Sequence, residues 1–332
     1  MISLFKNQGP LTIPVLFLYT LCLKLFLFFY NDGIAETPEL SSHLFLTLVT
    51  PFSEYIFINT LFFNFFFSVV LVHQSILIRN INDQAEFWSK GTSLPSLFFV
   101  TFCVSITQFN ILLTPLIIGN YFILYALKSY INLYNEVNFK EIFYLGLFAG
   151  IAAIYHFPLV FISVTSVLYL IVYINASIRL HLVLLTGIVC SLFLISSTYF
   201  LLDKLDLFAI ENIIRFTKAP FSPEALTTEI LFIFSFLIIL SFIGVGNVSN
   251  YFNRMNVRTR AVWGSLFIMT VMSLFAIFLT TDGKVVHFYF LGIPFSFLTG
   301  RIFYLFKKNI TGELIFLVLL FLIINFQFSL FF

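Results

Sequence analysis

The sequence contains 332 residues, of which 60% are hydrophobic and only 10% are charged, and its formal net charge is +2. Its mean hydropathy is +1.04. A soluble protein of this length could not bury so much apolar surface without leaving large exposed patches, so these values exclude a soluble domain and indicate a polytopic membrane protein. They also exclude nucleic acid as a partner, because the basic residues are few and confined to short loops.

The first apolar segment covers residues 11–30. At 1.5 Å per residue, about 20 helical residues cross the ~30 Å hydrocarbon core of a bilayer. No small-residue cleavage site is present, so we expect a retained span rather than a signal peptide.

An acidic loop, residues 31–54, follows this segment. Near its start, three carboxylates fall within eight residues without a neighbouring Lys or Arg: Asp32, Glu36 and Glu39. Thr37 and Pro38 match the residue preferences of a helix N-terminus, and an acid suits the positive end of a helix. Apolar residues then recur at helical spacing up to Pro51, and His43 lies on the same face as Glu39. The pattern predicts a short amphipathic helix on the membrane surface.

A long apolar run, residues 142–174, poses the main difficulty in counting spans. As one helix it would be about 50 Å long, too long for one crossing, and Pro158 offers a break into two short helices. The polar triplet 108–110 likewise separates a short run, 95–107, from residues 111–131. Counted this way, the chain is an all-α polytopic membrane protein with about eleven transmembrane helices.

The distribution of Lys and Arg sets the orientation of these spans. With the N-terminus inside, twelve basic residues fall in inner loops, including the basic loop 249–260, and four fall outside: Lys204, Arg215, Lys218 and Lys284. This asymmetry follows the positive-inside rule. The basic loop contains three arginines that we expect to anchor it to anionic lipid: Arg254, Arg258 and Arg260. We expect one integral membrane domain over residues 1–332.

The second outer loop, residues 203–229, mixes apolar and charged residues at near-helical spacing, which predicts another interfacial helix. The two outer loops would together cover a cavity at the outer membrane face. Carboxylates there could act as a general base or hold a divalent metal. Alternatively, the acids simply occupy loops in which basic residues are disfavoured.

Two motifs in this arrangement carry a family resemblance. The first lies in YLGLFAGIAAIYHFPLVFISVTSVLYLI (144–171) and comprises Gly146, Gly150, His156 and Pro158. The second lies in GKVVHFYFLGIPFSFLTG (283–300) and comprises Lys284, His287, Tyr289 and Pro294. With the acidic first loop, they resemble the GT-C superfold of polyprenyl-phosphate-dependent glycosyltransferases, such as the protein mannosyltransferases and aminoarabinose transferases.

That resemblance implies transfer of a sugar from a polyprenyl-phosphate donor at the outer face of a bacterial inner membrane. It implies a catalytic carboxylate at Asp32, or else at Glu36 or Glu39. The candidate substrate-binding residues are His43, His156, Arg215, Lys218, Lys284, His287 and Tyr289. The resemblance implies membrane lipid and polyprenyl phosphate as partners. It implies no definite cofactor, and a divalent metal is the one candidate for a cofactor.

The chain departs from this family at two acidic positions. Residues 31–33 read Asn-Asp-Gly where members usually carry an Asp-aromatic or Asp-Glu pair, and 108–110 reads Gln-Phe-Asn where many carry an acid. Basic residues for a lipid phosphate are also scarce on the outer side. These departures keep a second hypothesis open: a catalytically inactive scaffold or subunit of an envelope assembly, secretion or motility complex, with membrane protein partners. A lipid or small-molecule transporter is a third, less favoured class, because inverted repeats and midplane charges are not evident.

A second resemblance is to a family of Phe-rich, multi-pass inner-membrane proteins from Bacteroidota. It is carried by MISLFKNQGP (1–10), LLTPLIIGNYFILYAL (112–127) and the HFPL turn at 156–159, and it implies no activity. The three cysteines lie in separate apolar segments, without metal-ligand or disulfide spacing, and are expected to be small core residues. Asn120 is expected to form a hydrogen bond between helices.

Overall fold

The computed structural model describes residues 1–29, 60–88, 91–106, 115–135, 137–155, 159–203, 228–278, 289–306 and 309–329. Within these ranges the regular elements are helices and none is a strand, so the predicted all-α class is confirmed. The helices are α1 (Ile2–Lys6), α2 (Thr12–Phe29), α3 (Thr60–Ala85), α4 (Leu94–Ile106), α5 (Pro115–Asn135), α6 (Phe139–Tyr155), α7 (Val160–Tyr169), α8 (Ile178–Leu201), α9 (Thr228–Phe252), α10 (Val257–Phe278), α11 (Gly292–Leu305) and α12 (Asn309–Ser329).

The run 142–174 folds as two helices, as its length and Pro158 predict. Helix α6 ends at Tyr155 and α7 begins at Val160, and the two helices pack against each other. Helix α7 continues into a π-helical turn, Leu170–Ile174, which ends at Asn175 in the left-handed conformation. Residues 95–131 are likewise divided, into α4 and α5. The predicted interfacial helices in both outer loops lie outside the described residues.

Length and composition identify two candidate membrane spans among the described residues, Phe65–Ala85 and Ile178–Leu201. Five shorter apolar helices accompany them: Thr12–Leu23, Leu94–Ser105, Val160–Ile174, Tyr289–Leu305 and Ile310–Ile324. These helices are compatible with a membrane protein, and the count of eleven spans stays a prediction.

Helix termini from distant parts of the chain meet at one end of the bundle. The backbone N–H of Ser93, before α4, donates to the Phe5 carbonyl of α1 at 2.9 Å. The Lys6 ammonium donates to the Phe306 carbonyl after α11 at 2.7 Å, and the N-terminal ammonium pairs with Glu313 of α12 at 2.9 Å. We call this the basic end, because it holds Lys6, Arg254, Arg258, Arg260 and Arg301.

Helices α4 and α11 form the centre of the bundle. Every residue from Gly292 to Phe303 is buried, and so is every residue from Leu94 to Ser105. A helix that is buried all round lies inside a protein rather than at its surface. The pair packs closely where Gly300 faces Pro95. Helix α11 therefore carries its one charged side chain, Arg301, into the protein interior.

Helices α6 and α8 touch through their backbones. A Cβ added at Gly146 would collide with the Leu184 carbonyl oxygen, and one added at Gly187 would collide with the Phe143 carbonyl oxygen. A Cβ at Gly150 would collide with the Ser191 hydroxyl. Small residues permit such a close approach of apolar helices, which in lipid associate by packing. Gly146 and Gly150 thus have a packing role here.

Candidate functional site

The predicted catalytic site lies almost wholly outside the described residues. This applies to the three acids of the first loop and to six of the seven candidate substrate-binding residues: Asp32, Glu36, Glu39, His43, His156, Arg215, Lys218, Lys284 and His287. Their convergence on one cavity therefore stays a prediction. Within the part of the chain that the structure does describe, no group of three or more His, Cys, Asp and Glu side chains could hold a metal ion.

Tyr289 is the one candidate substrate-binding residue that the structure describes. It directly precedes α11, its side chain is only 2% exposed, and its hydroxyl lies near the Cys103 thiol and the Asn120 amide. Cys103 is close to the end of α4 and Asn120 is close to the start of α5. Since α4 begins and α11 ends at the basic end, these three residues lie towards the opposite end of the bundle. We call them the buried polar cluster.

The buried polar cluster contains polar atoms without hydrogen-bond partners. Within the described ranges, neither amide atom of Asn120 nor the Tyr289 hydroxyl forms a hydrogen bond of good geometry, although Asn120 is fully buried and interacts with the Tyr289 hydroxyl beside it. Asn120 of α5 thus contacts Tyr289 of another segment, and the interhelical hydrogen bond expected for Asn120 stays a prediction. An unpaired buried amide or hydroxyl costs roughly 1–3 kcal/mol, so a bound water, ion or ligand is a natural partner for such groups.

A second feature is an open cavity of about 610 Å³ at the basic end. It lies where α3, α9 and α11 terminate and α10 begins. We call it the basic-end pocket; its lining includes Glu86, Trp88, Tyr251, Arg254, Arg301 and Tyr304. The cavity is large enough for a small organic ligand.

Arg301 is the most unusual residue of the basic-end pocket. Its side chain is 9% exposed, and its guanidinium carbon lies 5.6 Å from the centre of the Tyr251 ring. The Nε atom is buried without a hydrogen-bond acceptor, and among the described residues no carboxylate pairs with this arginine. A cation–π contact offsets only part of the cost of removing a guanidinium from water.

Two neighbouring arginines, Arg258 and Arg260, form structural hydrogen bonds, although the Arg258 Nε is also buried without a partner among the described residues. Arg258 donates to the Gln84 carbonyl at the end of α3. Arg260 donates to three carbonyls at the end of α9, including that of Phe252 at 3.2 Å. These bonds satisfy carbonyls that a helix C-terminus leaves without an intrahelical partner. Arg258 and Arg260, predicted as lipid anchors, thus cap two helices in the structure.

Sequence analysis missed Arg301 and Trp88 as site residues. The distribution of Lys and Arg assigns Arg301 to the inner side, although this residue interrupts the apolar stretch 288–306. An ionisable residue within such a stretch is itself a signal of function. Trp88 gives no comparable signal, because its role depends on how the end of α3 turns into the pocket.

No protein-family model matches this chain, and neither a curated protein nor a solved structure matches it significantly.

Proposed function

We propose that this chain is a multi-pass protein of a bacterial inner membrane, with eleven spans, the N-terminus inside and a GT-C-like organisation. Eleven helices longer than α1 occur among the described residues, in agreement with the number of apolar segments. The gathering of Lys6 and four arginines at one end supports the orientation, because the positive-inside rule assigns a basic end to the cytoplasm.

We further propose that the protein is a glycosyltransferase that uses a polyprenyl-phosphate-linked sugar at the outer face. The observation that supports it is the buried polar cluster. Tyr289 belongs to the motif that resembles these enzymes, and it lies beside the buried Asn120 at the end of the bundle opposite the basic end. A cluster of buried polar groups at the outer end of the bundle is suited to contact a polar substrate.

In the proposed reaction, an acceptor hydroxyl attacks the anomeric carbon of the sugar. The bond from that carbon to the phosphate oxygen breaks, and polyprenyl phosphate leaves with the bonding electron pair. Asp32, or else Glu36 or Glu39, accepts the proton of the acceptor hydroxyl. Arg215, Lys218 or Lys284 stabilises the departing phosphate, since a basic side chain is the usual partner of that group.

The test compares Asp32→Asn, Glu36→Gln and Glu39→Gln in membranes that contain the full chain. The probes are radiolabelled polyprenyl-phosphate mannose and polyprenyl-phosphate aminoarabinose, and the readout is label transferred to endogenous acceptors. Loss of the general base is expected to reduce transfer by about 100-fold or more. Asp203→Asn is the matched control, because Asp203 is exposed after α8 and its left-handed backbone suits Asn.

Unchanged transfer in all three variants would refute the enzyme. The scaffold hypothesis would then predict a stoichiometric partner that co-purifies with the chain in mild detergent.

A further inference from the structure

The basic-end pocket presents more hydrogen-bond donors than the described protein groups can satisfy. The Arg301 Nε–H and the Trp88 Nε1–H are both buried without an acceptor, in residues that are 9% and 7% exposed. The exposed Arg254 contributes a second cation to the lining. Trp88, Arg254 and Arg301 all line this cavity, and no described carboxylate pairs with Arg301, so the lining favours a ligand that is anionic and rich in acceptor atoms.

The wall that carries Trp88 is held in place before any ligand arrives. Helix α3 ends at Ala85, and Glu86 adopts a left-handed conformation with φ of 51°, which turns the following two aromatic residues inward. Phe87 packs against Trp263 and Phe297 with ring centres 4.7 and 5.2 Å apart. A pre-organised pocket loses little conformational entropy when it binds, which favours affinity.

We infer that the basic-end pocket binds a phosphate-bearing ligand, with Arg301 as its principal contact. A phosphate group offers several acceptor oxygens and the negative charge that a buried guanidinium lacks here, and Arg matches its geometry. The aromatic rings of Trp88 and Tyr304 pack against each other with centres 5.9 Å apart, and both residues line the pocket with Arg301. The phosphate comes either from a phospholipid headgroup or from a soluble phosphate ester.

This site is independent of the proposed glycosyl transfer. The predicted sugar donor binds at the outer face, whereas the basic-end pocket lies at the end assigned to the cytoplasm. Glu86 also lines the pocket, and its carboxylate opposes an anion there. Removal of this charge is therefore expected to strengthen phosphate binding severalfold, whereas removal of the Arg301 charge is expected to weaken it.

The test uses the purified full chain in detergent and follows the thermal unfolding midpoint from tryptophan fluorescence. One arm adds inorganic phosphate or glycerol 3-phosphate, and the other adds phosphatidylglycerol; didodecyl glycerol without phosphate is the lipid control. We expect a midpoint shift with at least one phosphate probe. A shift with the soluble probes identifies a soluble ester as the source, and a shift with phosphatidylglycerol alone identifies a lipid headgroup.

Arg301→Met is expected to weaken binding by about 10- to 100-fold, the range for hydrogen bonds to a charged group. Without ligand it should unfold at the same or a higher temperature, because it removes an unpaired buried charge. Arg260→Met is the matched control: it removes caps of α9 and should lower the midpoint without ligand, while its phosphate-induced shift persists. Glu86→Gln should enlarge the shift.

Three results would overturn the inference. The first is no shift with any phosphate probe, and the second is an equal shift in wild-type protein and Arg301→Met. The third is a smaller shift in Glu86→Gln than in wild-type protein, since that carboxylate cannot assist an anion.

Discussion

Substitution of Gly187 by Ala tests the close backbone contact between α6 and α8. The added Cβ would lie 2.9 Å from the Leu147 nitrogen and closer still to the Phe143 carbonyl oxygen. Ordinary Cβ contacts begin at 3.4 Å, so the nitrogen alone requires a separation of about 0.5 Å between α6 and α8. Both atoms belong to backbone and cannot rotate away, as a side chain could.

The magnitude follows from two opposing effects. Overpacking of a closely packed interior costs typically 1–3 kcal/mol, whereas Gly to Ala in a helix gains about 1 kcal/mol of helix propensity. Gly246→Ala in α9 is the matched control, because nothing lies within 4 Å of its added Cβ. The propensity gain is common to both variants, so the free energy of unfolding should differ between them by about 1–3 kcal/mol.

The assay is thermal unfolding in detergent at a fixed heating rate, followed by the fluorescence of Trp88 and Trp263, which are both buried. We expect Gly187→Ala to unfold several degrees below Gly246→Ala, on the scale of about 2–4 °C per kcal/mol for a large domain. Equal midpoints for the two variants would refute the close backbone contact between α6 and α8.

Two further predictions compare an unsatisfied buried polar group with a satisfied one. Asn120→Leu should raise the unfolding midpoint, because it removes a buried amide that makes no hydrogen bond of good geometry. A lower midpoint would contradict this expectation. If the buried polar cluster serves the enzyme, the same variant should also lower sugar transfer. Tyr130→Phe should lower the free energy of unfolding by about 1 kcal/mol, because it removes the hydrogen bond between the Tyr130 and Ser166 hydroxyls, which are 2.9 Å apart. An unchanged midpoint would show that this bond contributes nothing to stability.

The helix boundaries could be predicted from the sequence because their signals are local. Pro158 divides residues 142–174, and a polar triplet divides residues 95–131, in both cases near the observed helix ends. The neighbours of each helix could not be predicted in the same way. Helix α4 is apolar on every face, so its sequence carries no periodicity that says which side meets α11.

Residues with similar sequence patterns have different roles in the structure, because their roles depend on which helices they contact. Gly146 and Gly150 belong to a motif that resembles an enzyme family, yet in the structure both make room for α8. Arg258 and Arg301 are equivalent in a charge count, yet one caps a helix and the other is buried beside Tyr251. Charge counts report the side of a membrane and contain no information on burial.

Helix α11 connects the two candidate sites, which fixes how far apart they are. Tyr289 immediately precedes this helix and Arg301 lies in its last turns, so the two residues are about 18 Å apart along an axis that rises 1.5 Å per residue. One phosphate group cannot contact both. A ligand of the basic-end pocket is therefore a different molecule, or a different part of a long one, from the donor proposed for the opposite end. Because the helix between them is buried along its length, movement at either end would displace the packed core around it.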